Sequence, residues 1–378
     1  MPEDGVGESG GREVGESGSR EVGETGPADR IGGDETGAGG GGRRRRRGGV
    51  AHRKERDPSL PPRHLGRDER QPIREKRRPG PLQGDRAPEY LVIGHICADL
   101  RPDGTAVLGG TALYSAITAA RLGWRVGVLT RGRYGIEVDG IKVPGLEEYA
   151  DLVSIVVQEA AGPTVFVNEY QGGRRTQSVR RWAGEIDLRG LPPHWANARV
   201  VHLGPIAQEI DVRQTGSLAP RFLGCTPQGW MRQWPMERGG RVRHVPLRLP
   251  AELMTRLDAV VVSDEEISQA REVVEWVGAR RLGVVTLGES GARIVYGGQR
   301  DELPGFPGRT VDLTGAGDVF AAAFFIKASD RTASAVDAAR FANATAALSL
   351  TGIGVGGVPS VAEVEALLAT ERDLAPRR

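Results

Sequence analysis

From Tyr90 onward, short apolar runs alternate with longer segments of helical periodicity. Tyr90-Leu91-Val92-Ile93-Gly94 is an unbroken apolar run with β-branched residues, the pattern of a strand buried on both faces. His95 to Asp99 carries it to its polar end, and a turn through Pro102-Asp103-Gly104 leads to Val107-Leu108-Gly109-Gly110. Thr111 can then cap a helix predicted over residues 112–122, with Leu113, Ile117, Ala120 and Arg121 at helical spacing and Gly123 closing it. Arg125 to Leu129 predicts the next strand. Further strands are predicted at 153–158, 164–170, 200–203, 222–225, 259–262 and 283–286. Gly172-Gly173 reads as a hairpin turn between Val165-Phe166-Val167 and the stretch 176–179. Helices are predicted at 264–279, 315–328, 331–351 and 360–371. Strands alternating with helices predict an α/β fold, with a mostly parallel sheet covered on both faces. Ligands of such sheets bind outside the carboxyl ends of the strands. Asp99 and Asp318 are expected at such ends.

Residues 1–86 break this pattern. They are rich in Gly, Arg, Glu and Pro, and have almost no apolar clusters. Such a segment cannot bury enough surface to offset its ordering entropy, so it is expected to be a disordered tail before a domain at 87–378. A short repeat of period eight runs through Val6-Gly7-Glu8-Ser9, Val14-Gly15-Glu16-Ser17 and Val22-Gly23-Glu24-Thr25, too short and polar for a solenoid. Arg43 to Arg47 form a block that would suit an anionic surface or a nucleic acid. The plainer reading is a solvated tail, or translated sequence upstream of the true start. The first aromatic residue is Tyr90, so the tail offers no platform for base stacking, and no nucleic-acid partner is expected.

The net charge of +2 over 378 residues suggests no polyanion partner. No run approaches the roughly 20 apolar residues that span a bilayer, and no apolar secretory segment opens the chain. Cys97 and Cys225 are far apart and lack metal-ligand spacing, so they read as buried thiols in a reducing compartment. A cytoplasmic enzyme is the expectation.

The most specific chemistry lies in Asp312-Leu313-Thr314-Gly315-Ala316-Gly317-Asp318, which runs directly into the apolar segment Val319 to Phe324. Gly315, Ala316 and Gly317 let backbone N–H groups converge at a helix N-terminus, where the dipole favours negative charge. Asp318 at its edge could take a proton from a hydroxyl while the backbone steadies a transferring phosphoryl group. The plain alternative is a Gly-rich turn with an acidic cap. The string closely resembles the D-T-x-G-A-G-D signature of the ribokinase-like (PfkB) carbohydrate kinases, with Leu313 where Thr is usual.

Other segments resemble this family in the same order along residues 90–371. Leu108-Gly109-Gly110-Thr111-Ala112 is similar to its first signature, near the sugar site, and Asp99 to the carboxylate that holds substrate hydroxyls. Ser263-Asp264-Glu265-Glu266 resembles N-x-x-E, with Ser263 in place of Asn. This implies that Glu266 helps to hold Mg2+, through water. The same residues also read as a capping box. Thr286, Gly288 and Gly291 match a T-x-G-x-x-G segment beside the nucleotide, and Asn343 lies in a helix similar to the one flanking adenine. Thr314 joins the implied nucleotide set, and Asp312 an implied monovalent-cation site, K+ in many members. Thr164 to Tyr170 and Thr226 to Arg232 look like the inositol-kinase-like branch, which adds Asn168 and Gln228 to Asp99, Gly109, Gly110 and Thr111 on the substrate side.

The resemblance implies a three-layer αβα fold and an ATP- and Mg2+-dependent kinase of a small sugar or polyol, with Asp318 as base. The stretch from Asp99 to Gly109 is short, so a reduced β lid is expected. Residues 131–135, Arg-Gly-Arg-Tyr-Gly, also depart from the pattern of ribokinase itself. No Walker A string is present, which argues against a P-loop enzyme. Lys is scarce in the domain, so an arginine could supply phosphate contacts. Three alternatives stay open: a nucleoside kinase, with Tyr114 or Tyr170 stacking on a base, a catalytically silent nucleotide-binding regulator, and a nucleic-acid-associated protein acting through the arginine block. A homodimer is also left open.

Overall fold

A computed structural model describes residues 81–82, 86–171, 174–236 and 239–374. Of the tail expected at 1–86, residues 1–80 and 83–85 lie outside the described residues, as does the Gly172-Gly173 turn. In chain order the strands are β1 Tyr90–Ile93, β2 Cys97–Leu100, β3 Ala106–Gly109, β4 Val126–Gly132, β5 Glu137–Val138 and β6 Ile141–Lys142. They continue with β7 Ser154–Glu159, β8 Val165–Gln171, β9 Arg174–Arg181, β10 Val200–Leu203, β11 Phe222–Cys225 and β12 Arg232–Gln233. The last are β13 Gly240–Arg241, β14 Arg243–His244, β15 Ala259–Ser263, β16 Leu282–Thr286, β17 Ala292–Tyr296 and β18 Gln299–Leu303. The helices are α1 Thr111–Arg121, α2 Ala251–Arg256, α3 Ile267–Gly278, α4 Ala316–Ala328, α5 Ala335–Ser349 and α6 Val361–Leu374. Among the described residues, no helix is long and apolar enough to cross a membrane.

Nine strands form the main sheet in the order β18-β17-β16-β15-β11-β10-β1-β4-β7. The run from β16 to β7 is parallel, and β17 and β18 close one edge antiparallel. Side-chain alternation divides the central strands between two cores. Tyr90, Val92, Ala259 and Val261 face α1, α4 and α5. Leu91, Ile93, Val260 and Val262 face α3, α2 and the irregular segment around Ile186 to Leu218. This is the expected three-layer α/β arrangement, and both buried faces explain the unbroken apolar runs.

A second sheet, in the order β13-β9-β8-β2-β3, stands beside the carboxyl end of β1. The stretch between Asp99 and Gly109 supplies only the short β2–β3 pair. The long β8–β9 hairpin widens it, so the expectation of a small lid holds for that stretch and not for the five-stranded sheet as a whole. Asp99 is therefore not at the polar end of β1. It lies within β2, opposite Val107 and Phe166.

Three helix starts differ from expectation. Gly110, with φ 89°, is the N-cap of α1, and Thr111 is its first helical residue. The helix after β15 starts at Ile267 rather than 264, because Ser263 to Glu266 form a turn in which the Glu266 carboxylate accepts the Ser263 N–H at 3.0 Å. That is the back-reaching half of a capping box, one turn ahead of the helix. A complete box, Ser334 with Asp337, starts α5 at Ala335 instead of 331.

Candidate active site

The apolar run after Asp318 makes α4 a helix with no polar stripe, and Val319 to Ile326 are all buried. Its N-terminus therefore opens at the sheet's carboxyl edge. Gly315 is the N-cap in the left-handed region, φ 77°, with no side-chain cap. The first N–H groups of α4 have no intrahelical partners, and that is what an anion at this end would use.

Asp318 lies in the first turn of α4, half-buried. Its Oδ1 accepts a hydrogen bond from Thr111 Oγ1 at 2.7 Å, and its carbonyl accepts one from Ser115 Oγ at 3.3 Å. Burial pushes its carboxyl up to about 6; the Thr111 bond opposes this, Glu266 adds to it, and Arg232 opposes it. A carboxyl poised there is ionised at neutral pH and still able to take a proton.

On one side of Asp318 lies a cleft of about 460 Å3. Thr286, Gly288, Gly291 and Asn343, from the expected nucleotide set, line it together with Ala316 and Gly317 of the expected anion turn. Asn343 is buried and donates to the Pro304 carbonyl at 3.1 Å, holding the segment that forms the opposite wall. Ala347 lines the cleft, whereas Ala344 belongs to the core. Thr314 does not join this wall. It is exposed, and its N–H donates to Asp312 Oδ1 at 2.9 Å. Asp312 Oδ2 accepts from the Gly354 N–H at 2.9 Å, so Asp312 clasps two loops together.

On the other side, the second sheet presents a polar row. Asn168 Nδ2 donates to Asp99 Oδ1 at 3.2 Å, and Gln177 Nε2 donates to Asn168 Oδ1 at 3.0 Å. Gly109 is needed here, since a β-carbon would come within 2.7 Å of Asp99 Oδ2. Gly110 brings the chain equally close to the His95 carbonyl. Gln228, from the 3-10 turn Pro227–Met231, donates to Thr111 Oγ1 at 2.9 Å. Cys97 and Cys225 are both buried free thiols.

Sequence reasoning missed several contributors. Gln177 pairs with Asn168 across the β8–β9 hairpin, a register that the turn assignment alone could have yielded. Arg232 donates to the Ile206 carbonyl at 2.9 Å, stacks over Phe166, and lies within electrostatic reach of Cys97 and Asp318. Phe306, Pro307 and Arg309 form the far wall of the cleft from a segment with no periodicity. Glu209 is fully buried and accepts backbone N–H groups of His95, Ile206 and Ala207, pinning together the loops that follow β1 and β10.

The sequence model of the pfkB family carbohydrate kinases matches residues 251–361, from α2 to the start of α6. Cytidine kinase of Thermococcus kodakarensis is 27% identical over 250 residues, 62% of this chain and 87% of that protein. A pyrophosphate-dependent kinase in the ribokinase family, solved with a pyrophosphate analog and myo-inositol, superposes with TM-score 0.58 at 20% identity, covering 73% of this chain and 99% of that one. Arabidopsis thaliana ribokinase, complexed with ribose and ATP, gives TM-score 0.52 at 20% identity over 75% of this chain and 99% of that one. The family match falls on the half that carries the cleft and Asp318, and the fold around it is the ribokinase fold. These likenesses together support a pfkB-type carbohydrate kinase, a phosphotransferase with an alcohol group as acceptor.

Proposed function

We propose that this kinase transfers the terminal phosphoryl group of ATP to a hydroxyl of a small polyol or sugar, with Asp318 as general base. The observation that carries this reading is the position of Asp318. Its helix turn supplies Ala316 and Gly317 to the donor cleft, and its carboxylate bonds to Thr111, beside the acceptor row. In the step, the acceptor O–H bond breaks and its proton goes to Asp318. The oxygen bonds to phosphorus, and the bond to the leaving phosphate oxygen breaks with its electron pair. Backbone N–H groups at Gly315, Ala316 and Gly317 stabilise the charge on the transferring group.

Apolar walls at Phe306, Pro307, Phe320 and Leu350 suit a nucleobase better than bare pyrophosphate, and Arg309 in the same wall suits the phosphates. Asp99, Asn168 and Gln177 suit hydroxyls, which donate to a carboxylate and exchange bonds with amides. Tyr114 is only 4% exposed, closed within the core, so it offers no platform for a base. This favours a polyol over a nucleoside. The other stacking candidate, Tyr170, lies among residues whose side chains are not described.

Glu266 fits Mg2+ by donor chemistry: it is an oxygen ligand facing the same space as Asp318. Among the described residues, no cluster of three or more His, Cys, Asp or Glu side chains forms a metal cage. When bound, the ion would neutralise phosphate charge, and Glu266 would hold it through water. Each Asp312 oxygen keeps a second lone pair, so K+ could sit beside its clasp. The deciding experiment is product formation across myo-inositol, ribose and cytidine, each with ATP or pyrophosphate, in K+ and in Na+. ATP-dependent phosphorylation of myo-inositol or ribose is expected. Turnover of cytidine alone, or with pyrophosphate alone, would replace this reading.

A further inference from the structure

Thr111 and Gln228 were expected to touch the acceptor, but their geometry points elsewhere. Thr111 is fully buried at the first position of α1. Its Oγ1 accepts from Gln228 Nε2 at 2.9 Å, which leaves its single proton for Asp318 Oδ1 at 2.7 Å. Its methyl group occupies the space that a β-carbon on Gly204 would need, 2.5 Å away. Packing against that glycine fixes the rotamer, as a β-branched residue allows. The Gln228 turn is held in its own place by the Gly229 N–H donating to the Pro205 carbonyl at 2.8 Å. The segments after β3, β10 and β11 therefore converge on one carboxylate oxygen. Among the described residues, no side chain donates to the other oxygen, Oδ2.

Resting on the general-base reading above, we propose that Thr111 is a positioning residue for the base. It occupies Oδ1 so that Oδ2 alone meets the acceptor hydroxyl, while Gln228 fixes the direction of the Thr111 proton. Neither side chain needs to contact the acceptor. A hydroxyl donating to a carboxylate also favours its charged form, offsetting part of the effect of burial. The other charged or titratable groups facing Asp318 are Glu266 from the turn before α3, Arg232 from β12, Tyr90 from β1 and Tyr114 from α1. The variants below leave all four in place.

The test has two readouts on the full chain. The first needs no substrate. The difference in melting temperature between a chain with Asp318 and its Asp318→Asn partner, followed against pH, reports the titration of Asp318. In the Thr111→Val background this titration should move up by roughly 0.4–1 pH unit, the equivalent of one lost neutral hydrogen bond. Thr111→Ser keeps the hydroxyl and should restore most of the difference. Gln228→Leu should move it the same way by less, and serves if Thr111→Val does not fold. The second readout is steady-state kinetics with whichever of myo-inositol, ribose or cytidine turns over best. Thr111→Val should lower kcat by about 10- to 100-fold, within the range of general-base contributions, with the acceptor KM changed less than about threefold. An unmoved titration, or an acceptor KM raised tenfold with kcat intact, would overturn the proposal. Full turnover by Asp318→Asn would instead remove the general-base reading, and the titration would still decide whether Thr111 holds that carboxylate.

Discussion

The ring of Tyr114 lies against the Cα of Gly315: a β-carbon at 315 would sit 2.2 Å from Tyr114 Cδ1. The acceptor-side helix α1 thus presses directly on the N-cap of α4. At φ 77°, Gly315 also holds a backbone conformation that L side chains rarely adopt.

Gly315→Ala must therefore displace either the Tyr114 ring or the first turn of α4. The expected result is a loss of at least about 100-fold in kcat, as for misplaced oxyanion donors. Tyr114→Ala combined with Gly315→Ala should recover only part of it, because the backbone strain remains. Kinetics of the single and double variants check this, and a fully active Gly315→Ala would contradict it.

Asp318→Asn should reduce turnover by about 10²–10⁴-fold and leave ATP binding intact. In the wild type, kcat should fall as pH drops through about 6, where the carboxyl takes up its proton. The stability effect has the opposite sense. A carboxyl raised in the folded state stabilises the fold below its unfolded value near 3.8, and that contribution is lost as pH rises through about 6. Asp318→Asn should thus melt higher than wild type at pH 8 and lose that advantage below pH 4. Calorimetry at the two pH values tests it.

Asp99→Ala should raise the acceptor KM by one or more decades and leave the ATP KM nearly unchanged. Charged hydrogen bonds to acceptor hydroxyls are worth about 1.5–3 kcal/mol each. Asp99 stands on the second sheet and is not among the residues that line the cleft. Equal effects on both KM values would mean that the carboxylate only supports Asn168 and the sheet.

His202 is fully buried between Tyr90 Oη and Thr226 Oγ1, at 2.8 and 2.9 Å, and burial drives its pKa down to about 3. A histidine lowered in the folded state contributes stability above its unfolded value near 6.5, and that stability is lost as pH falls toward 3. His95, lowered mainly by burial, acts in the same sense, whereas Asp318 opposes them with a smaller shift. The melting temperature should therefore fall steadily below pH 6.5. His202→Gln should start lower at pH 8 and show a shallower slope.

A chain beginning at residue 81 should fold and turn over like the full chain. Leu82 N–H donates to Ser154 Oγ at 2.7 Å and its side chain packs on the core, so a start at 87 would remove a real contact. Matching melts and kcat values are the expected result. A melt lowered by many degrees would show that residues before 81 support the domain.

The elements legible in the sequence are those whose cause is local. β1, β10, β11 and β15 are buried on both faces and read as apolar runs, and α4 follows a glycine string that can do little but turn. The cleft residues Thr286, Gly288, Gly291 and Asn343 were readable because short motifs carry them. What escaped notice depends on partners distant in sequence. Thr111 reads as a helix cap until Asp318, 207 positions later, takes its hydroxyl proton. Asp99 reads as the polar end of β1 until Phe166 and Val107 pair on either side of it. β17 is apolar except for Arg293 but only five residues long, and β18 is polar except for Leu303, so the pattern of this hairpin was too weak to stand out. Residues 305–310 have no period at all, and only their packing makes them a wall.

Because Val319 to Ile326 are enclosed on every side, α4 has no slack in which to tilt or slide. Asp318 and the glycine turn before it are thus anvil, not hammer. Whatever excludes water from the reacting hydroxyl must arrive from across the gap, on the sheet that carries Asp99 and Asn168. Turnover should then be paced by the swing of that sheet, and an acceptor too small to bridge the gap would be bound without being used.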